Sequence, residues 1–214
     1  MIEIPFEGTY RTEIKGSAPA RGNQGVLTDY IEGRIDKTVL TFAQREMKKS
    51  EKIPDFITEI LSLFHRNEKG ELCIGNWQQN RCFIDTGSIF FNAIKNKTHP
   101  PKTMVPNIIR FVEPDMIPIR TADGKTIKDL TKVGGYVDTC LITKKEGNKT
   151  KSFFKAYETL PAGMHFQCKV YFDEEFISEE LAKWWIEKSG AIGNYAWRER
   201  FGKYNVSFNG DKSR

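Results

Sequence analysis

The sequence is poor in the residues and patterns that mark metal centres, disulfide frameworks and membrane spans. It has four cysteines and three histidines in 214 residues. No two cysteines form a CxxC pair, so neither a zinc site nor a disulfide framework is indicated, and the cysteines are interpreted as reduced thiols. No apolar run approaches the length of a bilayer span, and the start MIEIPFEGTYR lacks the basic-then-apolar order of a signal peptide. We therefore expect a cytoplasmic protein with no membrane segment, metal or cofactor.

The composition is that of a compact folded domain. Hydrophobic residues make up 39% of the chain and charged residues 29%, and the length is sufficient to bury a sizeable core. We expect one domain over residues 1–208 and a disordered tail at 209–214. The formal net charge of +5 is compatible with a nucleic-acid partner but is common among soluble proteins. The net charge therefore does not identify the function, and the positions of the basic residues along the chain are more informative.

Hydrophobic periodicity predicts a mixed α+β fold. Alternation from Ile2 predicts a first strand, and residues 165–172 show the clearest strand pattern in the chain. An apolar stripe at helical spacing predicts a helix over 54–66. Ser178 is a natural N-cap for a second helix that ends near Gly190, with Trp184 or Trp185 in the core, and a final strand follows. A terminal β-α-β in this order is typical of half of a ferredoxin-like fold.

The middle of the chain, residues 67–106, gives weaker patterns. It is compatible with a short strand at 72–74 and a helix over 85–94. Beyond it, residues 107–112 and 116–120 read as strands, and Asp123-Gly124 marks a tight turn. Residues 34–42 are another predicted strand.

A glycine-bracketed basic loop lies between the last predicted helix and the last predicted strand. Glycines there permit positive φ and close backbone approach, arginines supply planar guanidinium donors, and aromatic rings lie among them. Fixed cations beside aromatic faces suit sequence-tolerant binding of a single strand, because bases stack while cations follow the phosphates. The alternative is an ordinary helix-to-strand connection with a glycine cap and solvated charges. The predicted binding residues of this loop are Gly193, Tyr195, Trp197, Arg198, Arg200 and Lys203.

Three further basic segments are candidate contacts. The loop 15–25 is predicted to be mobile, the segment KNKTHPPK is predicted to be an exposed loop, and residues 137–157 are predicted to form a hairpin with a lysine-rich tip. The loop 15–25 also has a simpler interpretation as a tolerated insertion, and the hairpin end as a solvated tip that resists aggregation. The candidate binding residues in these segments are Lys15, Arg21, Lys95, Lys97, Lys144, Lys145, Lys149 and Lys151.

The run from Phe176 to Val206 resembles the C-terminal glycine-rich signature of the repeat-associated mysterious proteins. This superfamily includes the guide-RNA-binding backbone subunits of CRISPR effector complexes. The run is more similar still to small phage and prophage relatives of those subunits. Lys203 stands where such proteins often carry arginine, and Trp197 is unusual. The matching residues are Gly190, Ile192, Gly193, Arg200, Phe201, Gly202 and Val206.

The resemblance implies a ferredoxin-like (RRM-like) antiparallel sheet covered by helices, with hairpin and loop insertions. It also implies a non-catalytic protein that binds single-stranded DNA or RNA, with the hairpin folding over the nucleic acid. Several copies would assemble along one strand, and CRISPR or phage replication proteins are possible partners. The sequence contains no feature that distinguishes RNA from DNA.

Two alternatives remain open. The chain could be a protein-interaction module that mimics a CRISPR subunit, in the manner of an anti-CRISPR protein. It could also be a metal-independent endoribonuclease, since some relatives cleave RNA with a histidine base. None of His65, His99 and His165 lies in a matching motif, and Asp36 lies in surroundings that do not match a catalytic loop. No catalytic residue is therefore predicted.

Overall fold

A computed structural model describes residues 1–19, 61–93, 104–146, 149–194 and 201–208, and these residues form a mixed α+β structure, as predicted. The predicted strand at 34–42 and the tail at 209–214 lie outside the described residues. In chain order, the elements are β1 (Ile2–Tyr10), β2 (Ile14–Lys15), β3 (Ala18–Pro19), β4 (Leu61–Leu63), β5 (His65–Arg66), β6 (Leu72–Gly75), α1 (Asn76–Ala93), α2 (Val105–Ile108), β7 (Ile109–Glu113), β8 (Met116–Pro118), a 3-10 helix (Leu130–Val133), β9 (Tyr136–Glu146), β10 (Lys149–Leu160), β11 (His165–Phe172), α3 (Glu179–Ile192) and β12 (Tyr204–Phe208).

The chain divides into two compact units. The first comprises Met1–Ile14, His65–Asp129 and Pro161–Arg214, and the second comprises Lys15–Phe64 and Leu130–Leu160. Two of the segments predicted as insertions, the loop from residue 15 and the basic hairpin, belong to the second unit.

The first unit is built on a four-stranded sheet in the order β12-β1-β11-β7. Every neighbouring pair is antiparallel, and β1 is paired on both sides. Along the chain, these strands and the two longer helices follow one another as β1-α1-β7-β11-α3-β12. A smaller sheet in the order β5-β6-β8 completes the unit.

Alternation along β1 and β11 places one set of side chains in the core. Phe6 and Phe166 are both buried, and their rings meet edge to face at 5.9 Å. Trp185 of α3 is fully buried, and its indole N–H donates to the carbonyl of Phe83 in α1 at 2.8 Å. The prediction of a core tryptophan in this helix is thereby confirmed. The indole packs closely enough that a Cβ on Gly87 would lie 2.5 Å from it.

The start of α3 is as predicted, and its end lies slightly beyond the predicted position near Gly190. The Ser178 hydroxyl accepts a hydrogen bond from the Leu181 N–H at 3.3 Å, and two glutamates occupy the first turn. The helix continues through Gly190 to Ile192, and Gly193, whose φ is +87°, is its C-cap. Gly190 lies inside the helix. A glycine is needed there because β12 passes so near that a Cβ would lie 2.2 Å from the Tyr204 carbonyl oxygen.

The predictions for residues 61–66 and for α1 require correction. Residues 61–63 and 65–66 are strands rather than the end of a helix. Leu63 and Phe64 are consecutive and both buried, a pattern that a strand covered on both faces shares with a helix stripe. Helix α1 begins at Asn76 rather than near residue 85. The prediction placed its start too late because the first turns carry polar residues, which hide the apolar periodicity.

The second unit is organised around the hairpin of β9 and β10. The hairpin is confirmed and is longer than predicted, with pairing that extends from Lys149 opposite Glu146 to Thr159 opposite Tyr136. Strand β10 also pairs in parallel with β4, and the sheet order is β2-β10-β4-β3 with β9 on β10.

We expect Gly190→Ala to destabilise the protein by about 3 kcal/mol, at the upper end of the cost of overpacking, because the atom that the new methyl group meets belongs to the backbone. Urea unfolding provides the measurement. Gly124→Ala is the matched control, since its φ is +80° but nothing lies within 4 Å of the added Cβ. It should cost only the backbone strain, about 1 kcal/mol. Equal losses for the two variants would contradict the close approach of α3 and β12.

Candidate nucleic-acid interface

The two ends of the basic loop are held together by backbone contacts. The Asn194 N–H donates to the Gly202 carbonyl at 3.2 Å, and the Gly193 N–H donates to the Ser189 carbonyl at 2.9 Å. Gly193 and Gly202 both have positive φ, +87° and +69°. A Cβ on Gly193 would lie 2.8 Å from the Gly202 carbonyl oxygen, so only glycine allows this approach without displacement. We call residues 193–194 and 202–203 the loop neck.

The loop neck is also bonded to the segment that follows β1. The Gly202 N–H donates to the Glu13 carbonyl at 2.9 Å, and the Lys203 N–H donates to the Thr12 hydroxyl at 3.0 Å. The Arg11 N–H donates back to the Lys203 carbonyl at 2.9 Å. These bonds fix the second side of the loop neck to the segment that follows β1.

A buried polar network lies beneath the loop neck. The Asn194 side-chain N–H donates to the Gln79 side-chain oxygen Oε1 at 2.7 Å. The Asn194 side-chain oxygen accepts from the Tyr10 hydroxyl at 3.0 Å. The Gln79 amide donates to the Tyr204 hydroxyl at 2.7 Å, and this hydroxyl lies 2.6 Å from the Ser189 hydroxyl. All five side chains are buried. Burial raises the pKa of Tyr204 well above 10, so its hydroxyl stays protonated and its bonds persist at physiological pH.

The proton directions in this network are settled by its outermost bond. The Ser189 hydroxyl donates to the Ile186 carbonyl at 2.6 Å, so the Tyr204 hydroxyl donates to Ser189 and accepts from Gln79. Every member is thus bonded, and a satisfied network in a low-dielectric interior specifies one arrangement. The network therefore links the position of Asn194 to the core.

Only part of the predicted loop site lies within the described residues. Gly193 is a member of the loop neck, and Lys203 is half-buried at its second side. The residues predicted to contact nucleic acid and lying outside the described part of the chain are Arg21, Lys95, Lys97, Tyr195, Trp197, Arg198 and Arg200.

The predicted role of Lys15 needs correction. Lys15 is only 4% exposed, its ammonium group forms an ion pair with the Asp138 carboxylate, and it lies 5.3 Å from the centre of the Tyr157 ring. A buried ammonium that is already paired does not present its charge to a phosphate. The position in a loop-like sequence suggested exposure, but the partner carboxylate comes 123 residues later.

The hairpin brings the four predicted lysines to its end. The backbone register sets Lys144 directly opposite Lys151, Lys145 opposite Thr150, and Lys149 opposite Glu146. In the sequence, one glutamate stands among these lysines, so the segment carries an excess of positive charge.

The sheet face opposite the helices carries carboxylates. Glu7 accepts from the Gln167 amide at 3.0 Å and bonds His165 Nδ1 at 2.8 Å, and Lys169 pairs with Glu3 at 2.7 Å. Glu113 accepts from the Tyr171 hydroxyl at 3.0 Å. The one lysine of this group is already paired, so the face offers phosphates no unpaired cation among these residues. We therefore expect a nucleic-acid backbone to avoid it.

The histidines have structural explanations where they are described. The imidazole of His165 is bonded to Glu7 and lies 3.1 Å from the Thr9 hydroxyl, in a polar row across β1 and β11. Burial lowers the pKa of His65, whose ring meets that of Trp77. His99 lies outside the described residues. Within the described ranges, no group of three or more His, Cys, Asp or Glu side chains could hold a metal ion.

Comparison with known proteins finds no matching family model and no significantly similar curated protein. No helix among the described residues is long and apolar enough to cross a membrane.

Sequence reasoning missed the buried network. Tyr10 and Asn194 are 184 residues apart and Gln79 and Tyr204 are 125 apart, so no local pattern connects them. The one available signal was a run of amide side chains, QQN at 78–80, near the start of a helix whose later turns are apolar.

Removing the Tyr204 hydroxyl should destabilise the protein. Tyr204→Phe leaves the Gln79 amide without its acceptor in the core, which costs about 1 to 3 kcal/mol. Tyr171→Phe removes the same atom from the opposite face of the sheet, where its partner Glu113 is exposed, and should cost less than about 0.5 kcal/mol. Urea unfolding of both variants measures the difference, and similar values would show that the network does not stabilise the fold.

Glu7 should contribute a small, pH-dependent stabilisation. Its bonds to Gln167 and then to His165 lower the pKa of Glu7 below its ordinary value of 4.5. The stabilisation is present above that value and is lost as the pH falls through the lowered pKa. Glu7→Gln should therefore cost about 0.5 kcal/mol at pH 7, since solvent screens a partly exposed pair. Chemical unfolding at pH 7 and at about pH 3 should show the difference disappearing at the acidic value; a constant difference would contradict the ionic role.

Proposed function

We propose that this chain is a non-catalytic single-stranded nucleic-acid-binding protein whose main contact is the loop that begins and ends at the loop neck. The observation that supports this most is the closure of the loop neck over a fully bonded buried network. A closed neck fixes where the chain leaves and re-enters the fold. The intervening sequence, YAWRER, combines two aromatics with two arginines, the composition that sequence-tolerant binding of single strands requires.

We also propose that the first unit has a ferredoxin-like (RRM-like) fold. Its order β-α-β-β-α-β and its all-antiparallel sheet β12-β1-β11-β7 support this assignment. The same arrangement is what a member of the repeat-associated mysterious protein superfamily would have. We propose that relationship on the strength of the glycine motif together with this topology.

Binding on this proposal relies on the loops and the hairpin rather than on the open sheet. The carboxylates Glu3, Glu7 and Glu113 make the sheet face unfavourable for phosphates. The cations that neutralise phosphate would be Arg198, Arg200, Lys203 and the lysines at the hairpin end. If four to six phosphates are neutralised, the logarithm of the affinity should fall with the logarithm of salt at a slope of about 3 to 4, using ~0.7 per phosphate.

By analogy with the backbone subunits, several copies would line up along one strand. Each copy would then hold a few nucleotides, and long oligonucleotides would carry more than one protein. Isolated single-copy complexes on a saturated long strand would count against this part of the proposal.

The double variant Arg198→Ala/Arg200→Ala tests the proposed loop contact. It should weaken binding of labelled single-stranded DNA or RNA by about 1 to 3 kcal/mol. Its salt slope should fall by about 1.4, because two phosphate contacts are lost. Fluorescence anisotropy over a series of salt concentrations measures both quantities, and a gel of the same samples detects cleavage.

Lys125→Ala/Lys183→Ala is the matched control, since it removes two exposed cations that pair with Asp123 and Glu179. It should leave affinity nearly unchanged. Equal binding by the two double variants would remove the loop from the proposal. No binding by the unaltered protein would favour the protein-interaction alternative, and cleavage would favour the endoribonuclease.

A further inference from the structure

Trp77 is the most exposed aromatic side chain among the described residues. It is the second residue of α1 and is 51% exposed. Trp185, by comparison, is fully buried. A tryptophan that leaves half its surface in water gives up much of the free energy that its burial would supply, so a binding role is a reasonable explanation for its position.

The exposed ring is held in place by two neighbours. A Cβ on Gly75 would lie 2.3 Å from the six-membered ring of Trp77, so the indole rests directly against the Gly75 backbone. The ring of His65 meets it edge to face at 4.8 Å. Because burial lowers the pKa of His65, this contact is with a neutral imidazole at physiological pH. The Gly75 N–H donates to the Gln78 side chain at 3.0 Å, which fixes the backbone under the ring.

The residues that flank Trp77 along α1 are polar. Its helix neighbours are Asn76 and Gln78, both half-buried, and Arg81 is exposed one turn further on. Asn76 is bonded to the Asp115 carboxylate at 2.7 Å, and Arg81 is paired with Asp85 at 2.9 Å. The local charges are thus largely compensated. A protein-binding hot spot lies at the desolvated centre of a large interface, whereas a single flat ring flanked by polar residues suits stacking on one base.

We propose that Trp77 is a stacking platform for one nucleobase of the bound single strand. This inference rests on the proposed function and adds a second contact to the loop. The indole is positioned before the ligand arrives, so little side-chain entropy is lost on binding. Because the neighbouring charges are already paired, Trp77 contributes through the base and not through the phosphate.

The test combines two variants with two ligands. Trp77→Ala should weaken binding of a labelled single-stranded oligonucleotide about 5- to 150-fold, the range expected for loss of one stacked base. The salt slope should stay unchanged, since no phosphate contact is lost. An oligonucleotide of abasic residues should bind Trp77→Ala and the unaltered protein equally. Gly75→Ala, which displaces the ring without removing it, should also weaken binding of the base-containing strand.

Ile89→Ala is the matched control, because Ile89 lies on the same helix and is 53% exposed but offers no ring. It should bind like the unaltered protein, and urea unfolding checks that every variant is folded. If the unaltered protein binds and Trp77→Ala binds equally well, the inference is overturned while the proposed function stands. If Trp77→Ala also loses affinity for the abasic strand, or if its salt slope changes, the stacking inference is overturned as well. If the unaltered protein binds neither DNA nor RNA, the proposed function itself fails.

Discussion

The buried hydroxyl of Tyr204 is the point on which the first unit depends. It connects β12 to α1 through Gln79 and to α3 through Ser189, and Gln79 passes the connection to Asn194 and so to Tyr10 of β1. Each of these groups would be costly to bury alone, and together each has a hydrogen-bond partner. These bonds therefore specify a single arrangement of β1, α1, α3 and β12 relative to one another. The close approach of Gly190 to β12 is part of the same constraint, since a larger residue would move the helix away from the hydroxyl.

The distribution of charge separates a rigid framework from the segments proposed to bind. Carboxylates on the open sheet face are bonded to neighbours on the same face, as Glu7 is to Gln167 and Glu3 is to Lys169. Such pairs organise the surface without attracting an anion. The cations that are proposed to meet phosphate lie in the hairpin segment and in the sequence between the two sides of the loop neck. Placing recognition on loops that a packed framework positions is a common solution, because loops tolerate change that the core does not.

Elements with a strong local signal could be predicted from the sequence. Strict alternation identified β1 and β11, the Ser178 cap identified the start of α3, and two β-rich runs on either side of a turn-forming segment identified the hairpin. Where two periods fit the same residues, as at Leu63 and Phe64, sequence alone favoured the wrong element. The burial of Lys15 and the network beneath the loop neck could not be predicted, because their partners lie more than 100 residues away and only folding brings them together.

The interleaving of the two units has a consequence for synthesis of the protein. Strand β1 is made well before both strands that pair with it, β11 and β12, which come from residues 165–208. During translation its two edges therefore lack their native partners until β11 and β12 have been made. Long-range pairing of this kind slows folding, and an unpaired apolar strand invites association with other chains. The order of these strands therefore exposes β1 to association with other chains until its two partners have been made.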